Sequence, residues 1–108
     1  MRSRMIKPEF FRDEDLGRVT FAAKLLFAGL WCASDRCGRL RDRPRVILAD
    51  VFPTHDDVTA NDVNGWLDEL ASIGVIERYE VDGKRYVQVK NFSMHQKIHP
   101  KEAPSIIP

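Results

Sequence analysis

The side chains best suited to bind phosphate occur in three sets along the chain. The sets are five arginines, two cations after a predicted turn, and three lysines: Arg36, Arg39, Arg41, Arg43 and Arg45; Lys84 and Arg85; Lys90, Lys97 and Lys101. A guanidinium group offers phosphate oxygens a planar fork of donors, and an ammonium group adds a compact positive charge. We therefore predict that these residues, Lys101 apart, contact the phosphate backbone of double-stranded DNA without reading its sequence.

The charge distribution leaves a second interpretation open. The formal net charge is only +1, so the arginines could instead form a solvated rim that pairs with Asp35, Asp42 and Asp50. The 108 residues are nevertheless uneven in charge. Residues 1–50 contain 11 Lys or Arg and 7 Asp or Glu, residues 51–82 contain 1 and 8, and residues 83–108 contain 5 and 1. An acidic middle between two basic flanks indicates a two-sided surface that binds a partner.

The other reactive side chains predict neither an enzyme nor a metal site. The only compact titratable trio, His-Asp-Asp at 55–57, lies in a linker, and no glycine-rich phosphate loop or His-Glu-x-x-His motif occurs. Cys32, Cys37, His95 and His99 formally match a Cys2His2 zinc site. The two cysteines, however, flank a helix end, and the helical period directs Cys32 into the core. We expect no catalysis, no cofactor and no metal.

A helix and a hairpin must position the second cationic set. Thr59 and Asp62 have the spacing of a capping box, and Gly74 suits a left-handed helix end. Asp82-Gly83 between two alternating apolar runs is a strong hairpin signal. The predicted elements are a helix over 60–73 and strands over 75–81 and 85–91.

The preceding segment predicts two more helices and a short strand. Thr20 caps a largely apolar helix that ends near Ser34, either buried on most sides or with one face given to a partner. Residues 37–40 supply a first strand, and Asp42 is the expected N-cap of a helix over 43–52 with Pro44 in its first turn. The predicted core comprises Leu26, Leu30, Trp31, Ile47, Leu48, Val51, Trp66, Leu67, Leu70, Ile76, Val87 and Val89.

This order of elements predicts an α+β fold, a winged helix-turn-helix with about three helices, a C-terminal hairpin wing and a short first strand. We expect the domain over residues 1–92, with an N-terminal arm over 1–18. Residues 93–108 are expected to be a tail or linker that could lead into a second domain. No apolar stretch of a secretory signal follows the basic N-terminus, and the longest apolar run, Leu25–Ala33, is too short to span a bilayer. These features predict a cytoplasmic protein without membrane partners.

The helix over 60–73 argues against sequence reading. Its polar face carries three carboxylates and no Lys or Arg, and carboxylates that face phosphates weaken binding. Recognition of a specific operator, as in a transcriptional regulator, is therefore disfavoured. The acidic helix could instead dock a protein, and the Thr20 helix could form a homodimer.

Several blocks together resemble one family. They are Met5–Phe11, Leu25–Cys32, Cys37–Pro44, Leu67–Leu70 with Gly74, Arg85–Val89, Asn91–Gln96 and His99–Glu102. They resemble the N-terminal winged-helix domain of phage and prophage replication proteins, of the replisome-organiser and helicase-loader type. The resemblance implies a phage-derived, non-enzymatic DNA-binding module that acts in replication initiation or helicase loading, with a replisome or helicase partner.

Overall fold

The computed structural model describes residues 1–108 and has an α+β architecture with five helices and one three-stranded antiparallel sheet. A single 3-10 turn, Leu16–Arg18, follows the first helix. The elements are α1 (Glu9–Arg12), α2 (Phe21–Ala33), β1 (Arg39–Arg41), α3 (Pro44–Val51), α4 (Ala60–Ser72), β2 (Ile76–Val81), β3 (Lys84–Val89) and α5 (Phe92–His95). The predicted α+β class is confirmed, and α1 and α5 are short helices that the sequence did not indicate.

The sheet order is β1-β3-β2, so the short first strand lies beside the second strand of the hairpin. Asp82 and Gly83 both have positive φ, at 51° and 75°, which is the backbone that a two-residue type I′ turn requires. This turn fixes the register and places Tyr79 opposite Tyr86. On the other edge of β3, Arg41 lies opposite Tyr86. The predicted hairpin and first strand are confirmed.

Local hydrogen bonds fix the two long helices as predicted. The Thr20 side chain accepts from the Ala23 N–H and begins α2. Thr59 and Asp62 form both hydrogen bonds of the capping box at the start of α4. A cap of this kind stabilises a helix by about 1 kcal/mol. These bonds involve residues only three positions apart, which is why the sequence predicts them.

Helices α2, α3 and α4 pack on one another, and α4 also packs on β2. Sixteen buried apolar residues form one continuous core, which includes Leu26, Leu30, Ile47, Leu67, Leu70 and Val87. Three residues of the predicted core, Leu48, Val51 and Trp66, are only half-buried against it. Trp66 lies at the core margin beside Phe52, with ring centroids 5.3 Å apart.

The prediction that Asp42 caps α3 is wrong. The N-cap residue is Arg43, whose side chain makes no capping bond, and Pro44 begins the helix as expected. The Asp42 side chain is fully buried and binds Arg78, with Nε to Oδ2 at 2.7 Å and Nη2 to Oδ1 at 2.9 Å. The Asp42 carboxylate therefore forms a bidentate ion pair with Arg78 and not the helix cap that its position in the sequence predicts.

Arg4 joins the N-terminal arm to both the body and the tail. Arg4 has a side chain only 5 % exposed, and its Nε donates to the Trp31 carbonyl oxygen at 3.0 Å, near the end of α2. Its Nη2 also donates to Glu102 Oε1 at 2.9 Å. Phe10 of the arm packs edge-on against Trp31 at 5.2 Å between centroids. The arm and tail thus close together over the C-terminal end of α2.

Helix α2 is buried or half-buried at 11 of its 13 residues, as predicted, and only a strip near its start remains open. Phe21 is 92 % exposed, and Leu25, one turn later, is 54 % exposed. The fully buried side of the helix consists of Ala23, Leu26, Phe27, Leu30 and Trp31. No helix combines the length and apolar character needed to cross a bilayer.

Candidate nucleic-acid interface

Five of the predicted cations meet at one end of the sheet. The C-terminal end of β1 lies beside the first residues of β3, because the Asp42 N–H donates to the Arg85 carbonyl oxygen at 3.0 Å. Helix α3 starts directly after β1. We use the name "basic end" for the group that this arrangement gathers, which is Arg41, Arg43, Arg45, Lys84 and Arg85.

The basic end is exposed and largely free of internal counter-charges. Arg43, Arg45 and Lys84 have no carboxylate within salt-bridge distance. The Arg41 guanidinium lies over the Tyr86 ring, 5.6 Å from its centroid. Arg85 reaches only to 3.9 Å from the Asp42 carboxylate, which Arg78 already holds. The structure contains no wider pairing of these arginines with Asp35 or Asp50.

Two carboxylates also lie near the basic end. Glu80 is the register partner of Arg85 in the hairpin, and Asp82 lies in the turn itself. Both are exposed. With these two groups counted, five positive charges face two negative ones, which leaves this end of the sheet net positive.

Arg36 and Arg39 lie apart from the basic end and contact the tail. Arg36 Nη1 donates to the Glu102 carbonyl oxygen at 3.1 Å. Arg39 Nη1 donates to the Ile107 carbonyl oxygen at 3.1 Å, and its Nε donates to Gln88 Oε1 at 2.8 Å. Their donors are therefore shared with backbone oxygens of residues 102–107.

Lys90 and Lys97 lie beyond the opposite end of β3. Lys90 is 3.6 Å from the carboxylate of Glu77. Lys97 borders a polar depression between the arm and the tail, which Arg2, Lys101 and Glu102 also line. The nine predicted DNA-binding residues thus occupy three places, and only the basic end combines several exposed cations with few internal partners.

The three carboxylates of α4 are all engaged within the protein. Asp62 belongs to the capping box of its own helix. Asp68 accepts from Arg78 Nη1 at 2.8 Å, and Glu69 accepts from the backbone N–H of Thr20 at 2.9 Å. Asp68 and Glu69 hold α4 to the sheet and to the start of α2. The acidity of α4 therefore has a structural cause, although its outer face still presents no Lys or Arg.

Arg78 is a structural cation that the sequence patterns did not reveal. It donates hydrogen bonds to two carboxylates and to the Asn64 side chain. The hydrogen bonds to Asp42, and then the charges of Asp42 and Asp68, raise the pKa of Arg78 above its ordinary value, against the effect of burial. The signal that could have identified it is that Arg78 is the one cation in residues 51–82, a segment with eight carboxylates.

The sequence patterns also failed to indicate two tyrosines as candidate functional residues. Tyr79 and Tyr86 lie side by side on the face of the sheet that points away from α4, with ring centroids 5.6 Å apart. Burial is the main cause that raises the pKa of Tyr79 above its ordinary value. The register of the Asp82-Gly83 hairpin was the available signal, because it pairs these two positions.

The other candidate sites remain dispersed. His55, Asp56 and Asp57 are exposed in the loop between α3 and α4. Both cysteines are free thiols, half-buried at Cys32 and exposed at Cys37. The structure has no group of three or more His, Cys, Asp or Glu side chains placed to hold a metal ion.

Comparison with protein-family models, with curated proteins and with solved structures finds no match to this chain. The function proposed below therefore depends on the geometry of the chain and on the resemblance of its sequence blocks.

Proposed function

We propose that the chain is a winged-helix module that binds double-stranded DNA through its phosphate backbone. The support for a winged helix is the chain order, in which α2, β1, α3 and α4 precede a hairpin whose second strand pairs with β1. In this assignment α3 and α4 are the helix-turn-helix pair, and β2 and β3 are the wing. The basic end then lies at the wing tip.

The observation that carries the proposal is the convergence of Arg41, Arg43, Arg45, Lys84 and Arg85 on one exposed end of the molecule. Duplex DNA presents closely spaced phosphates, and cations that neutralise them release condensed counterions, which drives binding. Cations already held by internal carboxylates would contribute little. The scarcity of such pairs at the basic end is therefore what favours phosphate contact there.

The proposed contact does not read bases. Helix α4 is the element that would enter the major groove in helix-turn-helix docking, yet its outer face has no cation to approach the phosphates. Binding through the basic end alone fixes position on the duplex and carries little sequence information. We infer weak sequence preference.

The biological setting that we propose follows from the resemblance of the sequence blocks to phage and prophage replication proteins. In that setting the chain is a non-catalytic, cytoplasmic module of replication initiation or helicase loading. It would hold origin DNA while a replisome or helicase partner assembles.

The test replaces both cations after the turn, in the double variant Lys84→Ala with Arg85→Ala. Fluorescence anisotropy with two duplexes of unrelated sequence gives affinity as a function of salt. We expect binding to weaken equally on both duplexes. The log–log salt slope should flatten by about 0.9 for each phosphate that the variant no longer neutralises.

A matched control removes two cations from the N-terminal arm, Arg12→Ala with Arg18→Ala. Both residues are exposed and lie away from the basic end. The control should bind like the parent. Equal affinity and slope in the parent and the Lys84 and Arg85 double variant would remove the wing from the proposal.

A second candidate is a homodimer formed through α2, and the exposed apolar side of that helix favours it. Phe21 and Leu25 are adjacent on this side, and an exposed pair of large apolar side chains suits a partner surface. Light scattering tests it with Phe21→Glu against Met94→Glu, since Met94 is 70 % exposed on α5. A dimer that dissociates only with Phe21→Glu supports the candidate, whereas a monomeric parent at high concentration rejects it.

A further inference from the structure

The outer face of the sheet, the one that points away from α4, combines aromatic rings with cations. Tyr79 and Tyr86 are direct cross-strand neighbours, and their ring planes are inclined by 34°. The alternation of the strands places Arg39, Arg41 and Lys84 on the same face. Two adjacent rings bordered by three cations form a surface that differs from the basic end, although Arg41 and Lys84 belong to both.

The two rings differ in how accessible they are. Tyr86 is buried, because the Arg41 guanidinium lies over its ring and Tyr79 lies beside it. Tyr79 is half-buried and is therefore the ring that a ligand can reach, with Tyr86 supporting it from the neighbouring strand.

Residues 105–108 of the tail lie on this face. The Ile107 carbonyl oxygen accepts from Arg39 Nη1 at 3.1 Å, and the Pro108 oxygen accepts from the Tyr79 hydroxyl at 3.4 Å. The Ser105 hydroxyl donates to the Asp35 carboxylate. The tail therefore supplies oxygen acceptors to the donors of the outer face, which is the role that phosphate oxygens would play.

Two of the negative groups near the outer face, Glu77 and Asp35, are held by other residues. Glu77 lies on this face at its far end and pairs with Lys90 at 3.6 Å. Asp35 accepts from the backbone N–H groups of Cys37 at 2.9 Å and Arg39 at 3.0 Å, in addition to the bond from Ser105. The half of the face that borders the hairpin turn carries Arg41 and Lys84 against the exposed Asp82, and it therefore remains net positive.

We propose that the outer face binds single-stranded nucleic acid, and that residues 105–108 cover this site until the strand displaces them. An unpaired base stacks on Tyr79, and Arg39, Arg41 and Lys84 hold the adjacent phosphates. Stacking on a protein ring requires a base that is not already stacked in a duplex, and it tolerates any base because each has a π-face. This activity goes beyond duplex binding, since it depends on an aromatic side chain that the duplex contact does not use.

The first test separates stacking from charge at Tyr79. The probe is a fluorescein-labelled thymidine decanucleotide, and the readout is its anisotropy. Tyr79→Leu should weaken binding by roughly tenfold, the usual effect of removing the ring under one stacked base. Tyr79→Phe should bind at least as tightly as the parent, because it keeps the ring and removes only the hydrogen bond to the tail. Equal binding by Tyr79→Leu and Tyr79→Phe would overturn the proposal, and their urea midpoints identify any loss of folding.

The second test releases the tail within the full chain. Ser105→Asp places a carboxylate against Asp35, and the repulsion should detach residues 105–108 and tighten oligonucleotide binding several-fold. Ser93→Asp adds the same charge on α5, an exposed position away from the outer face, and should bind like the parent. Equal or weaker binding by Ser105→Asp relative to Ser93→Asp would contradict coverage of the site by the tail.

The two nucleic-acid activities can fail separately. Tyr79→Leu should leave duplex binding and its salt slope unchanged, because the ring takes no part in the wing contact. A chain that binds the decanucleotide but no duplex refutes the proposed function and leaves the stacking surface intact. The reverse pattern refutes the stacking surface alone.

Discussion

Replacement of Arg78 by Met tests the interaction that holds the sheet to α4. Arg78 is only 13 % exposed, and it binds the fully buried Asp42 carboxylate through both oxygens. It also donates to Asp68 and to the Asn64 side chain, each at 2.8 Å. Methionine retains most of the apolar stem but none of the donors, so the substitution isolates the polar contribution.

The expected cost follows from the carboxylate left behind. Removal of one partner from a buried ion pair typically costs about 3–5 kcal/mol, because the other charge stays desolvated and unpaired. Arg85, at 3.9 Å from Asp42, is too distant to replace a bidentate contact. Small domains have total unfolding free energies of about 5–15 kcal/mol, so Arg78→Met should remove a large share of the stability.

Two further variants determine the origin of that effect. Asp42→Leu combined with Arg78→Met removes both buried charges, and it should recover most of the stability, since apolar replacement of a buried pair is often neutral. Asp68→Ala breaks only the outer ion pair, in which Asp68 is 69 % exposed, and should cost less than about 1 kcal/mol.

Urea unfolding followed by tryptophan fluorescence measures the parent and all three variants. A cost of less than about 1 kcal/mol for Arg78→Met, with an unchanged m-value, would refute the importance of the buried pair. A double variant as unstable as Arg78→Met alone would refute the explanation by an unpaired carboxylate.

Three more outcomes follow from packing, backbone and charge. Leu67→Ala, at a fully buried position, should lower the free energy of unfolding by about 2–5 kcal/mol. Trp66→Ala should lower it by less than the roughly 3–5 kcal/mol typical of a buried tryptophan. Equal urea midpoints for these two variants would contradict the half-buried position of the indole. In Gly65→Ala the new Cβ meets no atom within 4 Å, so the variant should stabilise α4 by about 0.5–1 kcal/mol. Gly38→Ala should destabilise the protein, because φ is 74° there and the Cβ would lie 2.6 Å from a buried phenylalanine. Thermal midpoints that shift in the same direction for both variants would disprove this prediction. The hydrogen bond and charge of Arg4 lower the pKa of Glu102, so the stability that this ion pair contributes is present above the unfolded pKa and is lost as pH falls through the folded pKa. Glu102→Gln should therefore be less stable than the parent at neutral pH and should match it in strong acid. A gap in unfolding free energy that stays constant with pH would exclude this linkage.

Local patterns predicted those parts of the fold that local hydrogen bonds determine. The caps at Thr20 and Thr59 and the Asp82-Gly83 turn join groups at most three residues apart, so the sequence contains the whole interaction. Asp42 shows the opposite case. Its spacing fits a helix cap, but a guanidinium 36 residues later binds it, and no local pattern records that competition.

The candidate interface likewise depends partly on the local sequence and partly on the tertiary structure. The order of amino acids is enough to show which residues carry charge, and that a cationic pair follows the hairpin turn. The folding of the whole chain is what brings Arg41, Arg43 and Arg45 to this pair at the basic end, while Arg36 and Arg39 contact the tail. The physical reason is that a charge is available to a ligand only when no internal partner holds it, and here the partners lie tens of residues away along the chain.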